Sequence, residues 1–208
     1  MKRCVIIAGG NCDLKQLNIE SSDFIIAADS GYDHCVKASL EPDLIIGDFD
    51  SLKSDLPSNI ETIKLPEKKD DTDLLFALRT GLSKGFEDFL IFGGYGSRPD
   101  QNFAMLQSLY WLLEQGKDID VTANCNNFSV SAIKNSSKIF SVNKNQYISV
   151  FALENSKGVT INGAEYSLNN ADLSPSFPIG VSNTGLDTEV TVSVKCGTLL
   201  VMVVDKNI

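Results

Sequence analysis

The sequence predicts an α/β N-terminal domain with a mainly parallel, doubly wound sheet, followed by a small C-terminal all-β sandwich or barrel. Two observations predict this fold class. Up to about residue 130, short apolar runs alternate with segments of helical periodicity. After about residue 135 the helical period disappears, and β-branched or aromatic segments follow one another between turn residues. The boundary therefore falls within 125–137, and we expect domains of 1–130 and 131–208.

The N-terminal part contains six short apolar runs that are typical of strands buried on both faces. Such strands fit a parallel sheet that is covered by helices. Several of the runs end at a glycine or an aspartate, where a chain turns away from a sheet edge. They lie at 4–8, 24–28, 44–46, 61–65, 89–92 and 118–123.

Helices fit between these strands. The apolar stripe of one helix consists of Leu74, Leu78 and Leu82, and Gly85 follows it. The apolar stripe of the next consists of Phe103, Leu106, Tyr110 and Leu113, and Gly116 follows it. A further helix contains His34, the only histidine of the chain, which we expect at the surface.

The C-terminal part is predicted to consist of strands and turns only. Its strand-forming segments are separated by Asn, Gly, Ser and Pro, and 169–178 is predicted to be a loop. This pattern favours a small antiparallel sandwich or barrel. The predicted strands lie at 138–142, 147–153, 158–161, 164–168, 189–194 and 198–204.

Composition excludes several classes of partner. The formal charge of −9 opposes binding to a phosphate backbone, so we expect no nucleic-acid partner. No apolar run approaches the roughly 20 residues that span a bilayer, and the run near the N-terminus is too short for a signal peptide. The five cysteines have no C-x-x-C spacing, which indicates reduced thiols. We therefore expect a cytoplasmic protein without a membrane partner.

Two carboxylates follow the third apolar run, in the segment GDFDS at 47–51. In extended backbone, residues i and i+2 point the same way, so Asp48 and Asp50 face one point while Phe49 faces the core. Two like charges at this range repel each other unless a cation lies between them, and Mg²⁺ prefers such oxygen ligands. A solvated turn is the alternative, because D-x-D pairs are frequent in loops.

The segment KDDTD at 69–73 strengthens the metal interpretation. It opens a helix, which Thr72 or Asp71 can cap, but capping does not need three carboxylates in four positions. Asp73 lies in the first turn and can complete a metal site with the two earlier aspartates. Lys69 can meet a phosphate oxygen as a point charge. The alternative is a charged, well-capped helix start.

The segment GGYGSRPDQN at 93–102 is a glycine-rich loop between a strand and a helix. Backbone amides around Gly94 and the helix N-terminus form an anion site, and Arg98 adds a bidentate donor. Asp100 is predicted as the N-cap of the helix. In parallel sheets the loops at the carboxyl ends of the strands lie at one edge. A carboxylate cluster beside a phosphate site has the components of phosphoryl-type transfer.

The order of these motifs resembles the thiamine pyrophosphokinase family. The resemblance rests on GDFDS, on K-D-x-T-D and G-x-x-G-x-R-x-D before successive helices, and on GVTINGAEYSLNNADL, IGVSN and GTLLVMV in the second half. It covers nearly the whole chain. It implies an enzyme that transfers the pyrophosphoryl group of ATP to the hydroxyl of thiamine, giving thiamine diphosphate and AMP. It also implies Mg²⁺ and a homodimer with sites between the subunits.

The resemblance also implies roles for individual residues. It implies that Asp48, Asp50 and Asp73 hold the metal and take part in catalysis with Asp71 and Arg98. It implies that Ser182 and Asn183 form part of the thiamine pocket across the dimer. The residues implied at the nucleotide site are Asp29, Lys69, Asp71, Thr72, Gly94, Arg98, Asp100 and Gln101.

Two positions depart from the family pattern. The early aspartate, Asp29, is usually followed by two glycines, but here Ser30 and Gly31 follow it. Bacterial members usually have histidine after the third-motif aspartate, where this chain has Gln101. Glutamine donates hydrogen bonds but carries no proton at neutral pH, so we expect this residue only to position phosphate.

Three other functions remain open on sequence grounds. A pyrophosphokinase can act on another hydroxymethyl heterocycle, such as a pterin. An aspartyl-nucleophile phosphatase also places D-x-D after an apolar strand, but it needs Thr or Val where this chain has Leu52. A nucleotide-sensing module with a dimerising β domain would bind ATP without turnover.

Overall fold

The computed structural model of the chain describes residues 2–13, 15, 17–66, 70–116 and 118–207. It divides into two compact units, Met1–Asn126 and Asn127–Ile208. The division lies four residues before the end of the N-terminal domain that the sequence predicts. In the described part of the chain, no helix is long and apolar enough to cross a membrane.

The first unit is built on a parallel sheet. Its strand order is β6-β5-β1-β2-β3-β4, and every pair of neighbours in this series is parallel. The elements in chain order are β1 (Arg3–Ile7), β2 (Phe24–Ala28), α1 (Gly31–Lys37), β3 (Leu44–Gly47), β4 (Glu61–Lys64), α2 (Asp73–Ser83), β5 (Asp88–Phe92), α3 (Pro99–Leu113) and β6 (Asp120–Cys125).

Helices cover both faces of this sheet. Tyr32 and Cys35 of α1 belong to one hydrophobic cluster with Val5 and Ile7 of β1. On the opposite face α2 packs closely, since a Cβ at Gly81 would lie 2.9 Å from the sulfur of Cys4. Alternate residues of β1 therefore face different helices, as the period of a strand requires.

The buried face of α3 differs in part from the predicted stripe, of which Leu113 is buried. Phe103 is 64% exposed, whereas Met105, Leu109 and Leu112 are buried. The helix carries apolar residues around most of its circumference, so spacing alone fits two overlapping stripes, and packing selects one of them. Ser108 is also buried, and its hydroxyl is satisfied there because it donates to the carbonyl of Ala104 at 2.8 Å within the helix.

The second unit consists of two antiparallel sheets. Their strand orders are β12-β9-β14-β7 and β11-β10-β13-β8. One hydrophobic cluster takes residues from both sheets, including Val201 of one and Val190 of the other. The strands are β7 (Phe128–Lys134), β8 (Ser137–Val142), β9 (Gln146–Ala152), β10 (Ser156–Asn162), β11 (Leu168–Leu173), β12 (Gly180–Thr184), β13 (Thr188–Ser193) and β14 (Thr198–Asp205).

Four segments of this unit differ from the sequence prediction, and one of them is β12, which was not among the predicted strands. The boundary region contains β7, which pairs with β14 along its whole length. The predicted loop 169–178 begins with most of β11, whose pairing is interrupted by register shifts and whose Asn170 has φ 49°. The predicted strand 164–168 forms only a bridge at Ala164 and the first residue of β11. Polar residues and β-bulges interrupt the alternation of apolar and polar residues by which such strands are recognised in a sequence.

Candidate active site

A cavity of about 550 Å³ opens at the carboxyl ends of the strands of the first unit. Loops after β1, β2, β3 and β5 form its walls, together with the first turns of α2 and α3. This is the edge at which open α/β sheets bind ligands. The predicted site residues that line it are Asp29, Asp48, Asp50, Thr72, Asp73, Gly94, Arg98 and Gln101. Lys69 lies outside the described residues.

Three carboxylates converge on one wall of this cavity. Asp29, Asp48 and Asp50 each offer one oxygen, and these oxygens all lie within 4.8 Å of one another. Asp29 Oδ2 accepts from the hydroxyl of Ser51 at 2.6 Å, whereas its Oδ1 is buried and has no hydrogen-bond partner among the described residues. A buried, unpaired carboxylate oxygen is costly unless a cation satisfies it. The donor set therefore fits a hard divalent cation such as Mg²⁺.

The backbone brings these carboxylates together through tight turns. Phe49 has φ 65°, so Asp48 and Asp50 lie on either side of a left-handed residue and not on the extended backbone that the sequence argument assumed. The Asp50 amide donates to Asp48 Oδ1 at 3.3 Å within this turn. Phe49 still packs against the core, as predicted. Asp29 also has a positive φ, of 49°.

The loop after Asp50 is attached to α1 by a buried aspartate. Asp33 is 8% exposed and accepts from the Ser54 hydroxyl at 2.6 Å and from the Ser54 and Lys53 amides at 2.8 and 3.1 Å. Burial alone raises the pKa of the Asp33 carboxyl, but these hydrogen bonds outweigh burial and lower the pKa below its usual value. The charged form of Asp33 therefore stabilises this loop.

The first turn of α2 brings a hydroxyl and a carboxylate to the cavity. Thr72 is the N-cap, and its side chain accepts from the Leu75 amide at 3.1 Å. Asp73 follows and also lines the cavity. Asp71 does not line it, and its carboxylate forms an ion pair with Arg79. Of the two predicted capping residues, Thr72 has this role.

The glycine-rich loop after β5 packs directly against the backbone of the loop after β1. Gly93 has φ 65°, and a Cβ there would lie 2.1 Å from the carbonyl oxygen of Ala8. Asn102 holds the other side of the loop, because its amide accepts from the Gly96 N–H at 2.8 Å and donates to the Gly96 carbonyl at 2.9 Å. The loop amides therefore have a fixed position beside the cavity.

Arg98 lies at the mouth of the cavity, at the N-terminus of α3. It occupies the N-cap position, so the prediction that Asp100 caps this helix is wrong. Asp100 lies in the first turn, outside the cavity lining, and accepts from Arg98 Nη2 at 2.6 Å and from Nε at 3.3 Å. The hydrogen bond from Arg98 lowers the pKa of Asp100 below its usual value.

Comparison with protein families identifies this arrangement. Residues 15–122 match the model of the thiamin pyrophosphokinase catalytic domain, and residues 134–199 match the model of the thiamin pyrophosphokinase vitamin B1 binding domain. The chain belongs to the thiamin pyrophosphokinase family. It is therefore an enzyme with thiamine diphosphokinase activity, which transfers the pyrophosphoryl group of ATP to the hydroxyl of thiamine.

Solved thiamin pyrophosphokinase structures have a similar fold. The Bacillus subtilis structure matches with a TM-score of 0.88 and 24% identity, covering 100% of each chain. The Geobacillus thermodenitrificans structure matches with a TM-score of 0.83 and 19% identity, covering 99% of this chain and 98% of the other. The yeast structure has a TM-score of 0.73, 14% identity and coverage of 99% and 87%. No curated protein sequence gives a significant match.

The predicted thiamine residues of this family member lie in the segment matched by the vitamin B1 binding domain. Asn183 is buried, and its side chain accepts from the Tyr166 amide at 2.9 Å and donates to the Tyr166 carbonyl at 2.6 Å. Ser182 has φ 59°, and its amide donates to the hydroxyl of Ser149 at 2.9 Å. Asn183 thus shapes the backbone beside Ser182.

Sequence reasoning missed several residues of the catalytic unit. Gly9 and Gly10 line the cavity, as do Ser51 and Asn102. The glycines follow the first apolar run, and their position at a carboxyl strand end is a signal that points to them. Asn102 was visible only as the last letter of the glycine-rich segment, and nothing in its local pattern indicates that it binds Gly96.

Proposed function

We propose that ATP and Mg²⁺ bind in the cavity of the first unit and that the pyrophosphoryl group is transferred there. One observation carries this proposal: the three-carboxylate cluster and the glycine-rich loop with Arg98 line the same cavity. A metal site beside an anion site is the combination that a triphosphate requires, because its charge is divided between a cation and oriented N–H donors.

Asp29, Asp48 and Asp50 would hold Mg²⁺, together with Asp73 in the first turn of α2. The three clustered carboxylates offer oxygen ligands, and the buried Oδ1 of Asp29 has no protein partner among the described residues. The sequence prediction named Asp73 as the third ligand with Asp48 and Asp50; Asp73 lines the same cavity but is not part of the three-carboxylate cluster, in which Asp29 takes the third place. When bound, Mg²⁺ neutralises charge on the bridging phosphate oxygens and orients them.

The remaining side of the cavity would bind the phosphates. Backbone amides around Gly94 supply donors without net charge, and Thr72 and Gln101 supply a hydroxyl and an amide. Arg98 supplies a planar pair of donors that matches a phosphate. To bind the nucleotide, it would break its ion pair with Asp100. The sequence prediction adds Lys69 as a further point charge.

The reaction is an in-line displacement. The thiamine hydroxyl oxygen forms a bond to the β-phosphorus, and the bond from this phosphorus to the oxygen bridging it to the α-phosphorus breaks. The electron pair of the broken bond stays on the departing AMP. The hydroxyl proton passes to a carboxylate that lines the cavity, which disfavours Asp71, because Asp71 pairs with Arg79 outside the lining. Arg98 and the loop amides stabilise charge on the transferring group.

Replacement of Arg98 tests the phosphate side of this site. We expect Arg98→Ala to lower kcat/KM for ATP about a hundredfold, and Arg98→Lys to recover only part of the loss because it lacks the planar fork. The matched control is Arg79→Ala, which removes an exposed arginine outside the cavity lining. Steady-state AMP formation at varied ATP gives these values. Equal values for the two alanine variants would remove Arg98 from the site.

The thiamine pocket and the assembly belong to the same proposal. Ser182 would contact thiamine, with Asn183 holding the adjacent backbone, in a homodimer whose sites lie between subunits. Exposed apolar residues on the segment around Ser182 support an interface there, and these are Phe177, Ile179 and Val181. Light scattering is expected to give twice the chain mass of 22.6 kDa. A mass equal to one chain at micromolar concentration would contradict the shared site.

The finer fold description and the compartment are also proposed. The parallel sheet with helices on both faces supports a doubly wound catalytic domain over 1–130, and the shared core of the two antiparallel sheets supports a β-sandwich over 131–208. All five cysteines are free, which supports a reducing compartment such as the cytoplasm.

A further inference from the structure

The only histidine of the chain contacts the wall of the nucleotide cavity. His34, on α1, has its Nε2 atom 2.9 Å from the carbonyl oxygen of Gly10. Because a carbonyl oxygen only accepts hydrogen bonds, the proton of this contact lies on Nε2. The imidazolium form also carries a proton there, so either protonation state of the ring can make the bond. His34 itself is half-buried and does not line the cavity.

Gly10 links this histidine to the glycine-rich loop. The Gly10 amide donates to the Gly93 carbonyl at 2.7 Å, and the next amide, of Asn11, donates to the Tyr95 carbonyl at 2.7 Å. His34 therefore lies at one end of a chain of hydrogen bonds that crosses from α1, through the loop after β1, to the loop after β5.

The loop after β1 begins with Gly9 and Gly10, which have no side chains that could hold this part of the loop in place. Gly9 and Gly10 both line the cavity, and a Cβ at Gly10 would lie 2.5 Å from the carbonyl oxygens of Gly93 and Tyr95. Close approach of two backbones requires glycine here, and glycine leaves the chain with its greatest conformational freedom. The position of this wall therefore depends on contacts made by neighbouring elements.

The helix α1 is a rigid support for such a contact. A Cβ at Gly31 would lie 1.9 Å from the carbonyl oxygen of Ile7, so the start of the helix packs directly on the end of β1. Asp33 and Cys35, on either side of His34, are both buried, and Asp33 accepts three hydrogen bonds from Lys53 and Ser54. The imidazole ring is therefore held in a defined place.

We propose that His34 is a positioning residue for the nucleotide site. Its Nε2–H fixes the Gly10 carbonyl, and through the amides of Gly10 and Asn11 it fixes the spacing between the two glycine loops. This inference rests on the proposed function, because Gly10 lines the cavity that is assigned to ATP. His34 touches no reacting atom and acts only through the backbone of the loop.

Two substitutions distinguish the effect of the Nε2–H hydrogen-bond donor from the effect of the volume of the ring. His34→Gln places an amide nitrogen near the position of Nε2, and His34→Leu keeps a similar volume without a donor. We expect His34→Leu to raise KM for ATP about tenfold and His34→Gln to stay within about threefold of the parent enzyme. KM for thiamine is expected to change by less than about twofold in both. Val36→Ala, at an exposed position of the same helix, is the control.

Amide hydrogen exchange gives a readout that is independent of turnover. In His34→Leu the amides of Gly10 and Asn11 are expected to exchange about tenfold faster, because loosening of the loop opens their bonds to Gly93 and Tyr95. The amide of Ile6, in the core of β1, is expected to keep its rate. The same comparison in His34→Gln is expected to show little change.

Three outcomes would overturn the inference. The first is that His34→Leu changes neither KM for ATP nor the exchange rate of the Gly10 amide. The second is that His34→Leu and His34→Gln raise KM for ATP equally. The third is that His34→Leu impairs KM for ATP, KM for thiamine and thermal stability to a similar extent. If Asp48→Asn is inactive and His34→Leu is normal, only the positioning role is wrong. If Asp48→Asn is fully active, the proposed site is wrong, and the exchange rates at Gly10 alone decide whether His34 holds the loop.

Discussion

Asp48→Asn is expected to lower kcat about a thousandfold or more while the protein stays folded. The carboxylate of Asp48 lies with those of Asp29 and Asp50 in the only such cluster within the described residues. Asparagine keeps the shape and one oxygen but removes a charge that a divalent cation requires. The metal-free protein gains from losing one of three like charges, so its free energy of unfolding should be equal or higher.

The control for this variant is Asp55→Asn. Asp55 follows on the same loop, is exposed and does not line the cavity, so its loss should leave kcat within about twofold. Activity is measured as AMP formed at saturating ATP and thiamine, and stability by urea denaturation of both variants. An active Asp48→Asn enzyme would contradict the metal assignment, and so would a variant that is inactive because it has unfolded.

Asp33→Asn is expected to destabilise the protein by about 2 kcal/mol at neutral pH, because a buried acceptor of three hydrogen bonds loses its charge. Asp33 is 8% exposed and holds Lys53 and Ser54, which continue the loop that carries Asp50. Some of the freed donors reach water, which limits the loss. Urea denaturation at pH 7 gives the difference in free energy of unfolding.

The effect of Asp33 depends on pH in a defined direction. Its pKa is lowered in the folded protein, so its stabilising contribution is fully present above the ordinary aspartate pKa of about 4. That contribution is lost as the pH falls through the lowered value. The stability difference between the parent protein and Asp33→Asn should therefore be constant from pH 7 to 5 and shrink toward pH 3. A difference that grows on acidification would contradict the assignment.

The parallel sheet was predictable because its central strands β1, β2, β3 and β5 are buried on both faces, whereas the edge strand β4 is mostly exposed. In a continuous apolar run such as 24–28, every residue is predicted to be buried whichever face it points to, and several of these runs end where Asp29 or a glycine turns the chain. The same rule brought Asp48, Asp50, Asp73 and the glycine-rich loop to one edge. Their convergence in one cavity follows from strand order alone.

Other features depend on contacts that the local pattern does not contain. Asp29 joins the carboxylate cluster because its left-handed backbone and the Ser51 hydroxyl fix its side chain, and neither is visible in the sequence. Asn102 and His34 bind the backbones of Gly96 and Gly10. Every residue has these backbone groups, so no residue type in the sequence marks the partner. The exposed Phe103 shows that apolar spacing does not choose the buried face of a helix with apolar residues on most sides.

Pyrophosphoryl transfer from ATP to thiamine is tested most directly by a ³¹P NMR time course of the purified protein with ATP, Mg²⁺ and thiamine. We expect the ATP resonances to be replaced by those of AMP and thiamine diphosphate, with no ADP formed, and we expect no such change with Asp48→Asn. ADP or free phosphate released without consumption of thiamine would contradict pyrophosphoryl transfer and favour a phosphatase. Intact ATP in the presence of thiamine would contradict thiamine as the acceptor and would leave a different hydroxymethyl heterocycle or a nucleotide-sensing module.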